Sequence, residues 1–189
     1  LRDFGPTEVG GFGITRADDP LSVDDIKLVK QVCTSVTVQF DDASVADFFD
    51  EQIDAGRRPE QFARIWVHSH PGNSAEPSGV DEETFDRVFG NCDWAVMAIV
   101  ARGGQTYARL RFNVGPTGTL LVPVEVDFSE PFPAADPAAW EQEYEHHVTS
   151  AESRAIWDDE ASGLGPAYDE DDSFDLSVDA FDETEEMAS

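Results

Sequence analysis

The chain reads His-Ser-His-Pro-Gly-Asn-Ser-Ala-Glu-Pro-Ser-Gly-Val-Asp from His68 to Asp81. Residues 64–68 (Arg-Ile-Trp-Val-His) predict a short buried strand, and residues 81–89 have apolar positions at helical spacing. A strand, a polar loop and a helix therefore follow one another. Because side chains two apart on a strand project from one face, His68 and His70 are expected to lie side by side, with Asp81 returning at the start of the helix.

Strands and helices alternate through the first 128 residues. The glycine-rich segment 8–14 predicts a strand that other backbone approaches closely. Asp41 and Asp42 are placed to cap a helix over residues 43–55, which Gly56 ends. The other predicted strands of this region are residues 31–40, 94–101, 106–114 and 120–128. This order predicts an α/β fold with a mixed central sheet flanked by helices.

Two further segments follow residue 128. Residues 129–157 predict a proline-rich linker and a docking helix that begins with an Asp136 cap and Pro137 in the first helical position. Residues 158–189 contain 13 acidic residues and no Lys or Arg, and they lack helical or strand periodicity. We expect this acidic tail to be disordered alone and to offer scattered apolar residues to a protein partner.

The charge of the chain is strongly unbalanced, with 12 Lys and Arg against 40 Asp and Glu, a net charge of −28. Such a surface repels phosphate backbones, so nucleic acid is not an expected partner. No apolar run approaches the roughly 18 residues of a membrane helix, so no membrane partner is expected either. Lysine is scarce along the whole chain, which favours a halophilic surface adapted to high salt over an acidic tail dedicated to a basic partner.

Cys33 and Cys92 are the only cysteines, and no CxxC spacing occurs. This pattern predicts reduced, buried core thiols in a cytoplasmic protein rather than a disulfide.

The segment that opens with His68 carries a candidate metal site. Two imidazoles on one face are a ready pair of nitrogen ligands for zinc, and the Asp81 carboxylate is a plausible oxygen ligand beside His68 and His70. Three protein ligands leave a fourth tetrahedral position open for water, which is the arrangement of a catalytic site. Water in such a site has a pKa of ~7.

A hydrolase of this type also needs a base and a donor for the developing oxyanion. Ser78, three residues before Asp81, can supply a hydroxyl donor. Glu8 on the glycine-rich strand is a candidate base, although spacing alone does not distinguish it among 40 acidic residues.

These residues resemble the JAMM motif of the MPN+ (JAB) metalloprotease family: a glutamate far upstream, then His-x-His-Pro, six residues and Ser-x-x-Asp. The matching positions are Glu8, His68-Ser69-His70-Pro71, residues 72–77 and Ser78-Gly79-Val80-Asp81. The similarity covers about residues 7–112, and it implies a JAB/MPN domain of cytidine-deaminase-like fold over residues 1–128. In that family a strand and a helix normally precede the glutamate, whereas seven residues precede Glu8 here.

The resemblance implies one zinc ion on His68, His70 and Asp81, with Glu8 as general acid and base and Ser78 stabilising the tetrahedral intermediate. Family members cleave peptide or isopeptide bonds after the C-terminal glycine of ubiquitin or ubiquitin-like proteins. The expected partner is therefore a ubiquitin-like protein or another polypeptide substrate.

Other interpretations stay open at this point. The chain could be a structural or assembly subunit that keeps the fold for binding, virion-associated if viral, or a peptidase that acts on a non-ubiquitin precursor. Asp81 could be only a helix N-cap, Ser78 an ordinary turn serine and Glu8 an exposed carboxylate. His146 and His147 are adjacent, so they face different sides of a helix and are expected to be surface residues.

Overall fold

The computed structural model describes residues 2–129 and 134–152. The strands are β1 (Gly10–Thr15), β2 (Val23–Lys27), β3 (Gln31–Cys33), β4 (Val38–Phe40), β5 (Ile65–His70), β6 (Trp94–Ala101), β7 (Thr106–Phe112), β8 (Gly118–Leu121) and β9 (Val148–Ser150). The α-helices are α1 (Asp42–Asp54), α2 (Gly79–Phe89) and α3 (Pro137–His147), and a short 3₁₀ helix covers Pro59–Gln61. The predicted acidic tail lies outside the described residues, as do residues 130–133 and 153–157.

Two sheets organise these elements. Six strands pair in the order β2-β1-β5-β6-β7-β8, and three pair in the order β4-β3-β9. In the larger sheet, β5 and β6 are parallel and the other neighbouring strands are antiparallel. The expected mixed α/β class is therefore confirmed.

The main hydrophobic core lies on the face of the large sheet that α1 and α2 contact. Phe12 of β1 stacks on Phe48 of α1, and Trp66 of β5 stacks on Phe85 and Phe89 of α2. All five side chains are buried in one cluster. Fully burying a large apolar side chain contributes about 1.5–3 kcal/mol to the free energy of unfolding. This packing holds α2 firmly against the face of the large sheet.

The strand predicted at residues 31–40 is wrong as a single element. It is a hairpin, in which β3 and β4 pair antiparallel across a turn at residues 34–37. The Thr34 N–H donates to the Thr37 carbonyl at 3.0 Å, and the two hydroxyls lie 2.8 Å apart. These local hydrogen bonds compete with continued extension of the chain.

The strand predicted at residues 120–128 ends early. Strand β8 stops at Leu121, two residues before Pro123. Proline lacks the N–H that a strand needs for its ladder, and this accounts for the early end. Strand β2 was not predicted, because its sequence Val-Asp-Asp-Ile-Lys is charged and all five residues are exposed at the sheet edge.

Helix α3 begins as predicted, with the Asp136 side chain accepting from the Ala139 N–H at 3.1 Å. It ends at His147, and the following residues form β9 beside β3. No residue of α3 is fully buried, so the helix adds no side chain to the hydrophobic core. Its Tyr144 ring instead lies 5.9 Å from the Phe4 ring, near the N-terminal segment.

Candidate metal centre

The two histidines of the motif lie on β5, and Asp81 lies in the first turn of α2. His68 and His70 are two residues apart on the strand, so both side chains lie on the face toward α2. The strand includes His70, which pairs with Ala101 of β6. His68 Nε2 is 3.2 Å from Asp81 Oδ1, and His70 Nε2 is 3.4 Å from Asp81 Oδ2. The three ligand atoms all lie within 4.8 Å of one another.

Both converging imidazole nitrogens lack a hydrogen bond. His68 Nε2 and His70 Nε2 are buried without a partner of hydrogen-bonding geometry. A buried polar atom left unpaired destabilises the folded state by about 1–3 kcal/mol. Two such nitrogens that face the same Asp81 carboxylate therefore point to a missing partner. A cation between them would satisfy all three groups. This buried His-His-Asp group could hold a metal ion.

A backbone carbonyl fixes the tautomer of His70. Its Nδ1 lies 3.0 Å from the carbonyl oxygen of Ser74, which can only accept a hydrogen bond. Nδ1 therefore carries the proton in the neutral ring, and the lone pair of Nε2 points toward Asp81. Metal-binding histidines are commonly oriented in this way by a second hydrogen bond.

Ser78 orients the third candidate ligand. Its N–H donates to Asp81 Oδ2 at 2.6 Å, and its Oγ accepts from the Asp81 N–H at 3.2 Å. This reciprocal pair is a capping box in which Ser78 is the N-cap. The interpretation of Asp81 as the helix N-cap is therefore wrong, and the cap directs the Asp81 carboxylate toward the histidines.

Trp66 supports the imidazole of His68 from below. The two rings stack at 4.2 Å between centroids with an interplanar angle of 26°, and Trp66 is itself packed in the core. The orientation of His68 is therefore set by the hydrophobic cluster beneath α2.

Glu8 lies beside the histidines, two residues before the start of β1. It is only 3% exposed, and its Oε1 is 3.7 Å from His70 Nε2. The turn after β3 and strand β5 hold it there: the Glu8 N–H donates to the Thr34 carbonyl at 2.8 Å, and the next residue, Val9, exchanges hydrogen bonds with Ser69 of β5. The interpretation of Glu8 as an exposed carboxylate is therefore wrong.

The electrostatics of the site separate its two carboxyl groups. Burial, reinforced by the charge of Asp81, raises the pKa of Glu8 to about 8. Burial also acts to raise the pKa of Asp81, but the adjacent His68 ring and the Ser78 N–H outweigh it and bring that pKa to about 2. Asp81 is thus a permanent anion, whereas Glu8 exchanges its proton near neutral pH.

Burial lowers the pKa of His68, although Asp81 acts in the opposite direction. The ring is therefore neutral at neutral pH, which is the form that binds metals.

Three supporting residues were not identified from the sequence. Ser69 points to the opposite side of β5 from the histidines, and strand alternation could have found it. The Ser74 carbonyl and the buried Gln31, which hydrogen-bonds both the N–H and the carbonyl of Gly10, carried no sequence signal. Each of them holds a strand or ring next to Glu8 or His70.

Other polar candidates stand apart from this centre. His147 Nδ1 contacts the Glu143 carbonyl on α3, and Glu76 is exposed. Cys33 and Cys92 are buried and form no disulfide, as predicted. Burial, then the charge of Glu8, raises the pKa of Cys33 to about 12, so this thiol is no nucleophile. Within residues 2–129 and 134–152, the His-His-Asp group is the sole cluster with metal-ligand spacing.

No protein-family model matches the chain, and no curated protein matches it. Among the described helices, none combines the length and apolar character needed to cross a membrane.

Proposed function

We propose that this chain is a zinc-dependent peptidase or isopeptidase of the JAMM type, with a JAB/MPN fold, and that His68, His70 and Asp81 hold the zinc ion. The observation that carries the proposal is the pair of buried, unpaired Nε2 atoms that face one carboxylate, with a second buried carboxyl beside them.

The donor set favours zinc among the common metals. Two imidazole nitrogens and one carboxylate oxygen suit a borderline-soft ion and are a poor match for Mg²⁺ or Ca²⁺, which prefer oxygen ligands. The described residues supply three ligands, which is the number found in catalytic rather than structural zinc sites. When bound, zinc supplies Lewis acidity that polarises a carbonyl oxygen and makes water more acidic.

Glu8 is the proposed acid and base. Its carboxyl lies next to the ligand group without belonging to it, at 3.7 Å from His70 Nε2. From there its deprotonated form takes a proton from the water that attacks the carbonyl carbon, and it passes that proton to the nitrogen that leaves as the C–N bond breaks. Because water attacks the carbonyl directly, no acyl-enzyme forms.

Ser78 is the proposed donor to the developing oxyanion. Its hydroxyl oxygen already accepts the Asp81 N–H, so the hydroxyl proton remains available for donation. A donor held by a helix cap needs little reorganisation when negative charge develops on the substrate carbonyl.

The proposed substrate is a ubiquitin-like conjugate or precursor, and this choice rests on the resemblance of Glu8, His68, His70, Ser78 and Asp81 to the JAMM motif. Because both cysteines are buried outside any disulfide, a reducing compartment such as the cytoplasm suits the chain.

Chelation and zinc restoration test the proposal. The full chain is incubated with a ubiquitin-like protein fused through its C-terminal glycine to a reporter polypeptide, before and after removal of metal. We expect hydrolysis to cease on chelation and to return on zinc addition. Glu8→Gln is expected to lose about 10²–10⁴-fold in rate while it keeps its zinc. Hydrolysis that resists chelation, or full turnover by Glu8→Gln, contradicts the assignment.

A further inference from the structure

Arg109 of β7 binds α2, the helix that contains Asp81. Its guanidinium forms two parallel hydrogen bonds with the Glu82 carboxylate, Nη1–Oε1 at 2.8 Å and Nη2–Oε2 at 2.6 Å. Glu82 directly follows Asp81 in the first turn of α2. A bidentate ion pair of this kind fixes the relative orientation of the guanidinium and the carboxylate as well as their distance, because the two planar groups must stay aligned.

A second contact joins Arg109 to the next turn of the same helix. The Arg109 guanidinium carbon lies 5.6 Å from the centroid of the Phe85 ring, one helical turn after Asp81. Across the sheet, Arg109 pairs with Met97, which in turn pairs with Trp66, the ring under His68. Residues opposite one another across paired strands share a face of the sheet. Arg109 therefore lies on the same face as Trp66, which stacks on His68.

The pair is also more protected than an ordinary surface ion pair. The Arg109 side chain is 18% exposed and the Glu82 side chain 39% exposed. Partial exclusion of water strengthens the interaction, whereas fully exposed pairs contribute little. An arginine committed in this way is notable in a chain with 12 basic and 40 acidic residues.

We propose that Arg109, acting through Glu82, is a positioning residue for the metal centre. It fixes the rotation of the first turn of α2 and so keeps the Asp81 carboxylate directed at His68 and His70. This inference rests on the proposed metal-binding function of those three residues.

The molecule contains a matched control for this pair. Arg111, two residues further on β7, forms an ion pair with Asp86, one turn further along α2. Its guanidinium carbon lies over the same Phe85 ring at 4.5 Å. The Asp86 side chain is 73% exposed and lies beyond the turn that contains Asp81. Both arginines therefore join β7 to α2, and only one does so beside a proposed ligand.

Cobalt binding to the metal-free full chain tests the inference, with visible absorption of Co²⁺ as the readout and zinc competition as the check. The variants are Arg109→Gln, Arg109→Lys and Glu82→Gln, with Arg111→Gln as the control. We expect the first three to bind cobalt about tenfold more weakly, within the ~10–100-fold range of outer-shell losses. Arg111→Gln is expected to keep the wild-type affinity. Lysine does not restore binding, because it lacks the planar fork.

Thermal unfolding of the metal-free variants separates positioning from stability. We expect Arg109→Gln and Arg111→Gln to unfold at similar temperatures, so that only cobalt affinity distinguishes them. Equal cobalt affinities in these two variants overturn the inference alone. A wild-type chain that binds no cobalt overturns the proposed function and the inference together. If Arg109→Gln does not fold, Arg109→Lys and Glu82→Gln decide the same comparison.

Discussion

At the scale of single residues, the site depends on groups that are held before any ligand arrives. His70 is oriented by the Ser74 carbonyl, His68 by Trp66 and Asp81 by the Ser78 N–H. Each restraint removes side-chain freedom that metal binding would otherwise have to remove. This arrangement favours tight binding, because the ordering cost is met during folding.

The buried carboxyl of Glu8 gives the metal-free protein a pH dependence of stability. Its pKa in the folded state is about 8, well above the 4.5 of an ordinary glutamate side chain. Between these values the folded state holds a proton that the unfolded state has released, so this group lowers the free energy of unfolding as pH rises from about 4.5 to about 8. In Glu8→Gln the group is absent. We therefore expect the stability of the variant relative to wild type to increase across this window.

Denaturant unfolding of both metal-free proteins at a series of pH values measures that difference. His68 has the opposite effect: because its pKa is lowered, it raises the free energy of unfolding as pH rises toward its ordinary value of 6.5. Both proteins contain His68, so comparing them cancels this contribution. A difference that stays constant from pH 4.5 to pH 8 contradicts the assignment of a raised pKa to Glu8.

Ser78 is expected to affect both stability and catalysis. Ser78→Ala removes a side-chain cap and should cost about 1 kcal/mol in the free energy of unfolding. The loss of the proposed oxyanion donor should also lower the hydrolysis rate roughly a hundredfold or more. Asp41→Ala is the matched control, since Asp41 caps α1 by the same kind of bond to the Ser44 N–H at 2.9 Å.

Unfolding and turnover assays on the two variants separate these effects. We expect Asp41→Ala to lose stability by a similar amount and to retain its rate. Equal rates for Ser78→Ala and Asp41→Ala would show that the hydroxyl has no catalytic part.

At the scale of elements, β1 shows why a glycine-rich strand precedes the histidines. It is buried along its whole length and pairs with β2 on one side and β5 on the other. An added Cβ at Gly11 would lie 2.8 Å from the Lys27 carbonyl oxygen, and backbone yields less readily than a flexible side chain. The expectation that other backbone approaches this strand closely is therefore confirmed.

Gly11→Ala should consequently destabilise the fold by about 1–3 kcal/mol, as overpacking usually does. Gly72→Ala is the control, since an added Cβ there meets nothing within 4 Å and its φ is not positive. We expect that control to change stability by less than about 0.5 kcal/mol. Urea denaturation of both variants is the measurement, and similar midpoints would contradict the close packing of β1.

The elements that the sequence predicted best have local causes. The caps at Asp41 and Asp136 lie within three residues of the N–H groups they accept from, so a short segment specifies them. The end of β8 before Pro123 and the turn between β3 and β4 also have local causes, but the β-branched alternation of residues 31–40 and 120–128 predicts longer strands there. Strand β2 exists only through pairing with β1, and its charged sequence gives no sign of that.

At the scale of the whole molecule, the sequence predicted those residues of the candidate site that lie close to one another along the chain. His68, His70 and Asp81 lie within one strand-loop-helix unit, so spacing predicted their proximity. Glu8 is 60 residues away from His68 and reaches it through the pairing of β1 with β5, so only the motif resemblance identified it. The contact between Arg109 and Glu82 depends on the order of the sheet and left no pattern in the sequence.

The net charge of −28 should make the stability of the whole chain dependent on salt. Repulsion among carboxylates acts over a Debye length of about 10 Å at 0.1 M salt and about 3 Å at 1 M. We expect the thermal unfolding temperature to rise steadily from 0.1 M to above 1 M salt, and to rise equally in NaCl and KCl. An unfolding temperature that is unchanged or falls with salt would contradict a salt-adapted surface.

The zinc content of the purified chain tests the central claim most directly. Zinc is measured per chain after dialysis for wild type, His68→Asn and His147→Asn, the last of these altering a histidine of α3 outside the site. We expect one zinc ion per chain in wild type and in His147→Asn, and none in His68→Asn. Zinc that is absent from wild type, or retained equally by His68→Asn, would contradict the claim that His68, His70 and Asp81 form a metal centre.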